Sequence, residues 1–62
     1  MILYPGSIVK IVNRLDLSEI TAEISQVIYE DIIIGVSCIT KDGVIDFYCK
    51  DYYFLPFYEE VF

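Results

Sequence analysis

The feature that most constrains the fold of this chain is its high content of β-forming side chains at short length. Seventeen of the 62 residues are Ile or Val, and ten are Tyr or Phe. Branching at Cβ and aromatic rings suit a pleated, half-buried surface better than the side of a helix. A chain of this length has room for one core only. We therefore expect a single, mainly β domain over residues 1–62.

The clearest local pattern is a hairpin in the second half of the chain. Two β-rich runs, Ile32–Thr40 and Val44–Asp51, flank the turn sequence Lys41-Asp42-Gly43. An Asp-Gly pair between such runs is a strong hairpin signal. The pattern predicts two antiparallel strands joined by a tight turn.

The rest of the chain adds three more predicted strands, one of them ambiguous. Ser7–Asn13 reads as a strand, and a short closing strand is expected around Pro56. The segment Glu19–Asp31 alternates like a strand, yet its apolar residues also fall on one helical stripe. We favour a strand because most of these apolar residues are β-branched. The alternative is an α+β fold, with a helix at about residues 17–29 packed on a three-stranded sheet.

Three segments together resemble a known small β architecture. Tyr4–Val12 looks like an opening turn and first strand, Thr21–Tyr29 followed by Ile34–Ile39 looks like a central pair, and Lys41–Tyr48 looks like a tight hairpin and fourth strand. Over roughly residues 4–56 the chain resembles a Src-homology-3-like small β-barrel. The resemblance implies about five antiparallel strands, in a layout common among phage and mobile-element proteins.

The sequence offers no group of residues that predicts catalysis or cofactor binding. It contains no His, which is the commonest general base, and its three glycines stand alone rather than in a phosphate-binding loop. Two cysteines without His do not make a metal site. The predicted turn places Cys38 opposite Asp46 or Phe47, and we expect both thiols to be free and mostly buried. A non-enzymatic protein without cofactor or metal is expected.

The charge balance limits the partners. Ten acidic residues against four basic ones give a net charge of −6, which repels the phosphate backbone and disfavours direct nucleic-acid binding. A protein partner with a basic surface is favoured instead. No apolar run is long enough for a membrane span, and the N-terminus has no basic region before Pro5-Gly6. We therefore expect no membrane partner and a cytoplasmic location, in the host bacterial cell if the chain is phage-encoded.

Two sets of side chains are candidates for binding such a partner. The acidic set could present carboxylates much as a duplex presents phosphates, and it comprises Glu23, Glu30, Asp31, Asp42, Asp46 and Asp51. The aromatic set could supply anchors inside a polar rim, and it comprises Tyr29, Tyr52, Tyr53 and Tyr58.

The function that these patterns favour is binding to another protein. The most specific version is an anti-defence inhibitor of a phage or mobile element, a nucleic-acid mimic that blocks a basic groove of a bacterial nucleic-acid-handling protein. The alternative is a structural or assembly protein, such as a virion component, whose apolar excess forms a homo-oligomer interface. A third hypothesis is a nucleic-acid-binding small barrel.

Overall fold

The computed structural model describes residues 3–57, and within them it contains five β-strands and no helix. The strands are β1 Ile8–Asn13, β2 Glu19–Glu30, β3 Ile32–Thr40, β4 Gly43–Tyr48 and β5 Tyr52–Pro56. They form one antiparallel sheet in the order β4-β3-β2-β1-β5. The predicted mainly β fold with about five antiparallel strands is confirmed, and the alternative helix at about residues 17–29 is wrong because β2 occupies that segment.

The sheet is curled but not closed. In the described part of the chain β4 and β5 are its two edges, so no ladder of backbone hydrogen bonds completes a barrel. Phe47 of β4 and Tyr52 of β5 nevertheless make an edge-to-face contact, with ring centroids 5.1 Å apart and an interplanar angle of 89°. A contact between the two edge strands means that the sheet bends around a common core.

The bend lies in β2, which pairs with two neighbours along its length. Its first half pairs with β1, and from Glu23 onward it pairs with β3. Ser25 is an extra residue at a register shift between these strands. A bulge of this kind increases local twist and changes which residues share a face. As a result Ile24 and Val27, three positions apart, both pack on the core.

The core gathers apolar side chains from the first four strands, most of them β-branched. Its buried members are Val9, Ile11, Ala22, Ile24, Val36, Cys38 and Phe47. Leu3, Val27, Tyr52 and Phe54 pack against them. Burying a side chain of Val, Ile or Phe size contributes on the order of 1.5–3 kcal/mol, so this cluster is the main source of stability.

The β3–β4 turn corrects the predicted register. Thr40 pairs with Gly43, so only two residues lie outside the ladder, and Cys38 consequently faces Ile45 rather than Asp46 or Phe47. The prediction was wrong because Gly43, with a φ of +109°, belongs to the paired strand. Thr40 Oγ1 donates to the Gly43 carbonyl at 2.8 Å and accepts the Asp42 N–H at 3.1 Å, which fixes the turn.

Candidate protein-binding surface

The turn between β2 and β3 brings together three of the predicted site residues. We call Tyr29, Glu30, Asp31 and Ile32 the β2–β3 tip. Asp31 alone connects the two strands, and its φ of +65° is the left-handed conformation that Asp tolerates better than most residues. The strands stay paired up to this residue, because Glu30 lies opposite Ile32. The tip is therefore held by the sheet itself.

The tip combines apolar exposure with negative charge. Tyr29 and Ile32 lie largely in solvent, since Tyr29 is 69% exposed and Ile32 is 70% exposed. Glu30 and Asp31 are exposed between them. Among residues 3–57 the one ion pair joins Lys10 to Glu19 at 3.7 Å, so neither tip carboxylate has a cationic partner there. Exposed apolar side chains beside two carboxylates have the composition of interface anchors with a polar rim.

The other acidic candidates do not join this patch. Glu23 lies on β2 between Ile8 and Ile39, and Asp42 lies in the β3–β4 turn, at the opposite end of β3 from the tip. A nine-residue strand separates its ends by roughly 25 Å. Asp51 lies in the β4–β5 turn, where its carbonyl accepts the Arg14 N–H at 3.0 Å. The predicted acidic set is spread around the molecule.

Asp46 has a structural partner of its own. Its side chain accepts a hydrogen bond from Ser37 Oγ at 2.5 Å, and the two residues lie directly opposite each other on β3 and β4. Ser37 is the buried polar residue of β3, with 3% of its surface exposed. The bond satisfies that hydroxyl and fixes the Asp46 carboxylate against the sheet.

The aromatic candidates divide between the surface and the fold. Tyr29 is free at the tip, whereas Tyr52 packs against the core and contacts Phe47. Tyr53 is half-buried, and the Arg14 guanidinium lies 5.5 Å from its ring centroid. Such a cation–π contact and the packing of Tyr52 give both side chains a role in the fold. Tyr58 lies outside the described residues.

The structure also exposes apolar residues that the sequence patterns did not single out. Leu15 is 95% exposed and Leu17 is 66% exposed in the loop between β1 and β2. Leu17 has a φ of +61°, unusual for a branched side chain. Hydrogen bonds from the Ser18 hydroxyl and the Ser18 backbone N–H hold the pKa of the nearby Asp16 carboxyl below its usual value. The Leu15-Asp16-Leu17 spacing could have drawn attention to this loop.

A second apolar feature runs across the outer face of the sheet. Ile8 lies opposite Glu23, Glu23 lies opposite Ile39, and Ile39 lies opposite Val44. The three apolar members of this row are exposed. Alternation of polar and apolar residues does not reveal the row, because its members come from four strands and meet only through the register.

The two thiols are free, and they differ in surroundings. Cys38 is fully buried in the core, and burial raises the pKa of its thiol to about 11. A thiol with so high a pKa stays protonated and unreactive near neutral pH. Cys49 is half-buried at the end of β4. Within the described residues no three Cys, His, Asp or Glu side chains cluster as a metal site would require.

Comparison of the chain with protein-family models, with curated proteins and with solved structures found no match. Residues 3–57 also contain no helix long and apolar enough to cross a bilayer.

Proposed function

We propose that this chain is a non-enzymatic protein-binding module that docks on a basic protein surface through its β2–β3 tip. The observation that carries the proposal is the exposure of Tyr29 and Ile32, each more than two-thirds exposed, at a tip whose other two residues, Glu30 and Asp31, are exposed carboxylates. An exposed aromatic residue is the type of side chain that dominates binding energy at interfaces. The adjacent carboxylates add attraction toward cationic surfaces.

The β2–β3 tip is already ordered before binding, which favours a high affinity for the contacts that it makes. Backbone pairing of β2 with β3 continues up to Glu30 and Ile32, so the tip enters a complex already ordered. A preorganised segment loses less conformational entropy on binding than a flexible loop does. The net charge of −6 adds long-range attraction to a basic partner and speeds the encounter.

The most specific form of the proposal is an anti-defence inhibitor from a phage or another mobile element. Such a protein would cover a basic groove of a bacterial nucleic-acid-handling protein and mimic the nucleic acid. The net charge of −6 and the two exposed carboxylates at the tip support a partner whose surface is basic.

The tip can be tested with a charge-reversal pair of variants. Glu30→Lys with Asp31→Lys and the control Glu19→Lys with Asp42→Lys both change the net charge from −6 to −2. Each variant and the natural chain are immobilised, and bacterial proteins that bind are identified and quantified. We expect proteins with basic surfaces to be retained by the natural chain and the control, and to be lost from the tip variant.

A Tyr29→Ala variant separates anchoring from charge. Because Tyr29 is 69% exposed, its truncation should leave the free energy of unfolding within about 0.5 kcal/mol of the natural value. Affinity for the retained partner should fall by at least about tenfold, as for an interface hot spot. Equal capture by the natural chain and both tip variants would refute the tip as the binding site.

Self-assembly is a second candidate function, and the outer apolar row supports it. Ile8, Ile39 and Val44 are exposed on one face and could be buried against a second copy. The molecular mass in solution decides between the two functions. A large, defined oligomer that is lost on Ile39→Lys would favour assembly, whereas a monomer would favour the binding module.

A further inference from the structure

The backbone edge of β4 is open within residues 3–57. The Cys49 N–H donates to the Ile34 carbonyl at 2.8 Å, and hydrogen-bonded pairs alternate along an antiparallel ladder. Since the β3–β4 register is uninterrupted, alternate residues of β4 back to Gly43 direct their amides toward β3. Val44, Asp46 and Tyr48 therefore direct their amides away from β3, toward the open edge.

The protection of this edge against strand pairing is limited to one charged side chain, Asp46. Natural edge strands are commonly blocked by Lys, by Pro or by a bulge. β4 has the sequence Gly-Val-Ile-Asp-Phe-Tyr and shows none of these, whereas β5 at the other edge ends in Pro56. Among the groups of Val44, Asp46 and Tyr48 that face the open edge, the Tyr48 carbonyl is engaged locally, by the Asp51 N–H at 3.0 Å.

The side chains along the open edge define the chemistry of an incoming strand. Val44 is 64% exposed and Tyr48 is 38% exposed, and they flank Asp46 on the same face. The hydrogen bond from Ser37 Oγ holds the Asp46 carboxylate in place. Beyond Tyr48 the edge continues into a shallow groove of about 380 Å³, lined by Ile32, Ile33, Ile34, Tyr48, Cys49 and Lys50.

We propose that β4 binds an extended segment of a partner protein by antiparallel strand addition. The segment carries Lys or Arg opposite Asp46 and apolar residues two positions to either side, opposite Val44 and Tyr48. Backbone hydrogen bonds supply affinity in this mode of recognition, and alternate side chains supply specificity. The inference goes beyond the function proposed for the tip, because it assigns a different surface and a sequence pattern.

The charge of Asp46 favours a cationic segment over two other possible occupants of the β4 edge, namely a second copy of the chain and the chain's own residues 58–62. An antiparallel pairing of β4 with a second copy that uses all three edge-facing residues sets Asp46 opposite Asp46 of that copy. Like charges directly opposite each other destabilise a strand pair. A strand from residues 58–62 that set Glu59 or Glu60 opposite Asp46 would meet the same repulsion. A cationic segment meets no such repulsion.

A set of short peptides tests the proposal with the unmodified protein. The probe is the capped heptapeptide Ser-Val-Thr-Lys-Thr-Val-Ser, titrated into the isotopically labelled chain while backbone amide signals are recorded by NMR. We expect the amides of Val44, Asp46 and Tyr48 to shift most. Replacing the peptide Lys by Glu should weaken binding about tenfold, as expected when an attractive cross-strand pair becomes repulsive.

Backbone methylation provides the matched control. Methylation of the Lys amide, which faces β4 in this register, should abolish binding, whereas methylation of the next amide, which faces away, should leave it unchanged. Asp46→Asn keeps the size and the hydrogen-bond acceptor, so it should bind the Lys and Glu peptides equally. The Glu30→Lys, Asp31→Lys chain should still bind the Lys peptide, which separates this inference from the tip proposal.

Two results would overturn strand addition at β4. One is unchanged binding of the peptide methylated at the Lys amide. The other is slow hydrogen exchange of the Val44 and Asp46 amides in the free protein, which would show that a second copy or the chain's own terminus already covers the edge.

Discussion

Arg14 joins two parts of the molecule that are far apart in sequence. Its backbone N–H donates to the Asp51 carbonyl and its Nε–H donates to the Cys49 carbonyl, both at 3.0 Å. Its guanidinium also lies against Tyr53. These contacts fasten the loop after β1 to the β4–β5 turn. The curl of the open sheet is therefore held partly by one side chain.

Replacing this side chain should loosen the curl. We expect Arg14→Ala to lower the free energy of unfolding by about 1–2 kcal/mol, through loss of one hydrogen bond and one cation–π contact. The control is Lys41→Ala, which removes the same charge from an exposed turn residue and should cost less than about 0.5 kcal/mol. Urea denaturation measures the free energy of unfolding of both variants. Equal losses in the two would contradict a role for Arg14 in holding the curl of the sheet.

Cys38 makes the stability of the fold sensitive to alkaline pH. Its folded-state pKa is raised from 9.0 to about 11 by burial, so folding favours the protonated thiol. The unfolded chain loses this proton first. The stabilisation of the folded state by the buried Cys38 thiol is therefore fully present below about pH 9 and declines as the pH rises toward about 11.

The Cys38→Ala variant isolates this contribution. The natural chain should lose about 1–2 kcal/mol more of its free energy of unfolding between about pH 9 and pH 11 than the variant does. All other ionisable side chains are present in both proteins, so their contribution cancels in the comparison. Parallel pH curves for the two proteins would contradict the argument.

At the scale of the strand pair, Gly35 of β3 lies where the backbone of β4 leaves no room for a side chain. A Cβ at this position would lie 2.5 Å from the Phe47 carbonyl oxygen and 3.1 Å from Tyr48 Cα. Both atoms belong to the backbone of β4 and cannot rotate away. The Tyr48 ring approaches the same place, with Cδ1 at 3.2 Å, and covers the site that a side chain would fill.

Gly35→Ala should therefore push β4 away from β3. We expect a loss of about 2–3 kcal/mol in the free energy of unfolding, as for overpacking that only a backbone shift can relieve. Ile39→Ala, on the same face of β3 but half-exposed, should cost about 1 kcal/mol or less. Thermal and urea unfolding measure the loss in free energy of unfolding for each variant. A smaller loss for Gly35→Ala than for Ile39→Ala would refute the prediction.

The elements themselves were largely predictable from the sequence. Runs rich in β-branched residues located the first four strands, the aromatic run before Pro56 indicated the short fifth strand, and Asp42-Gly43 located the hairpin. The bulge at Ser25 was not predictable, because a strict period of two places Ile24 and Val27 on opposite faces. The register of the hairpin was missed by the same kind of error, since a pattern does not reveal whether Gly43 is paired.

At the scale of the whole molecule, the site was only partly predictable. Composition identifies acidic and aromatic residues as candidates, but it does not say which tyrosines pack within the fold and are therefore not free to bind a partner. Tyr52 and Tyr53 are held by Phe47 and Arg14, and this depends on how far the sheet curls. Tyr29 remains available because it lies beyond the core, at the end of the longest strand.

The whole molecule is a small acidic body, and its exposed apolar residues include those of the tip, the outer row, the β4 edge and the loop between β1 and β2. Its net charge of −6 draws it toward cationic surfaces over distances up to the Debye length, about 10 Å at moderate ionic strength. We predict that this attraction depends on where the carboxylates lie on the molecule as well as on how many there are.

The most direct test is the salt dependence of the dissociation constant between the purified chain and its captured partner. We predict that affinity falls steadily as salt rises for the natural chain and for Glu19→Lys, Asp42→Lys. The Glu30→Lys, Asp31→Lys chain should bind at least about tenfold more weakly at low salt and respond less to added salt. The same affinity and the same salt response in all three proteins would contradict binding through the tip.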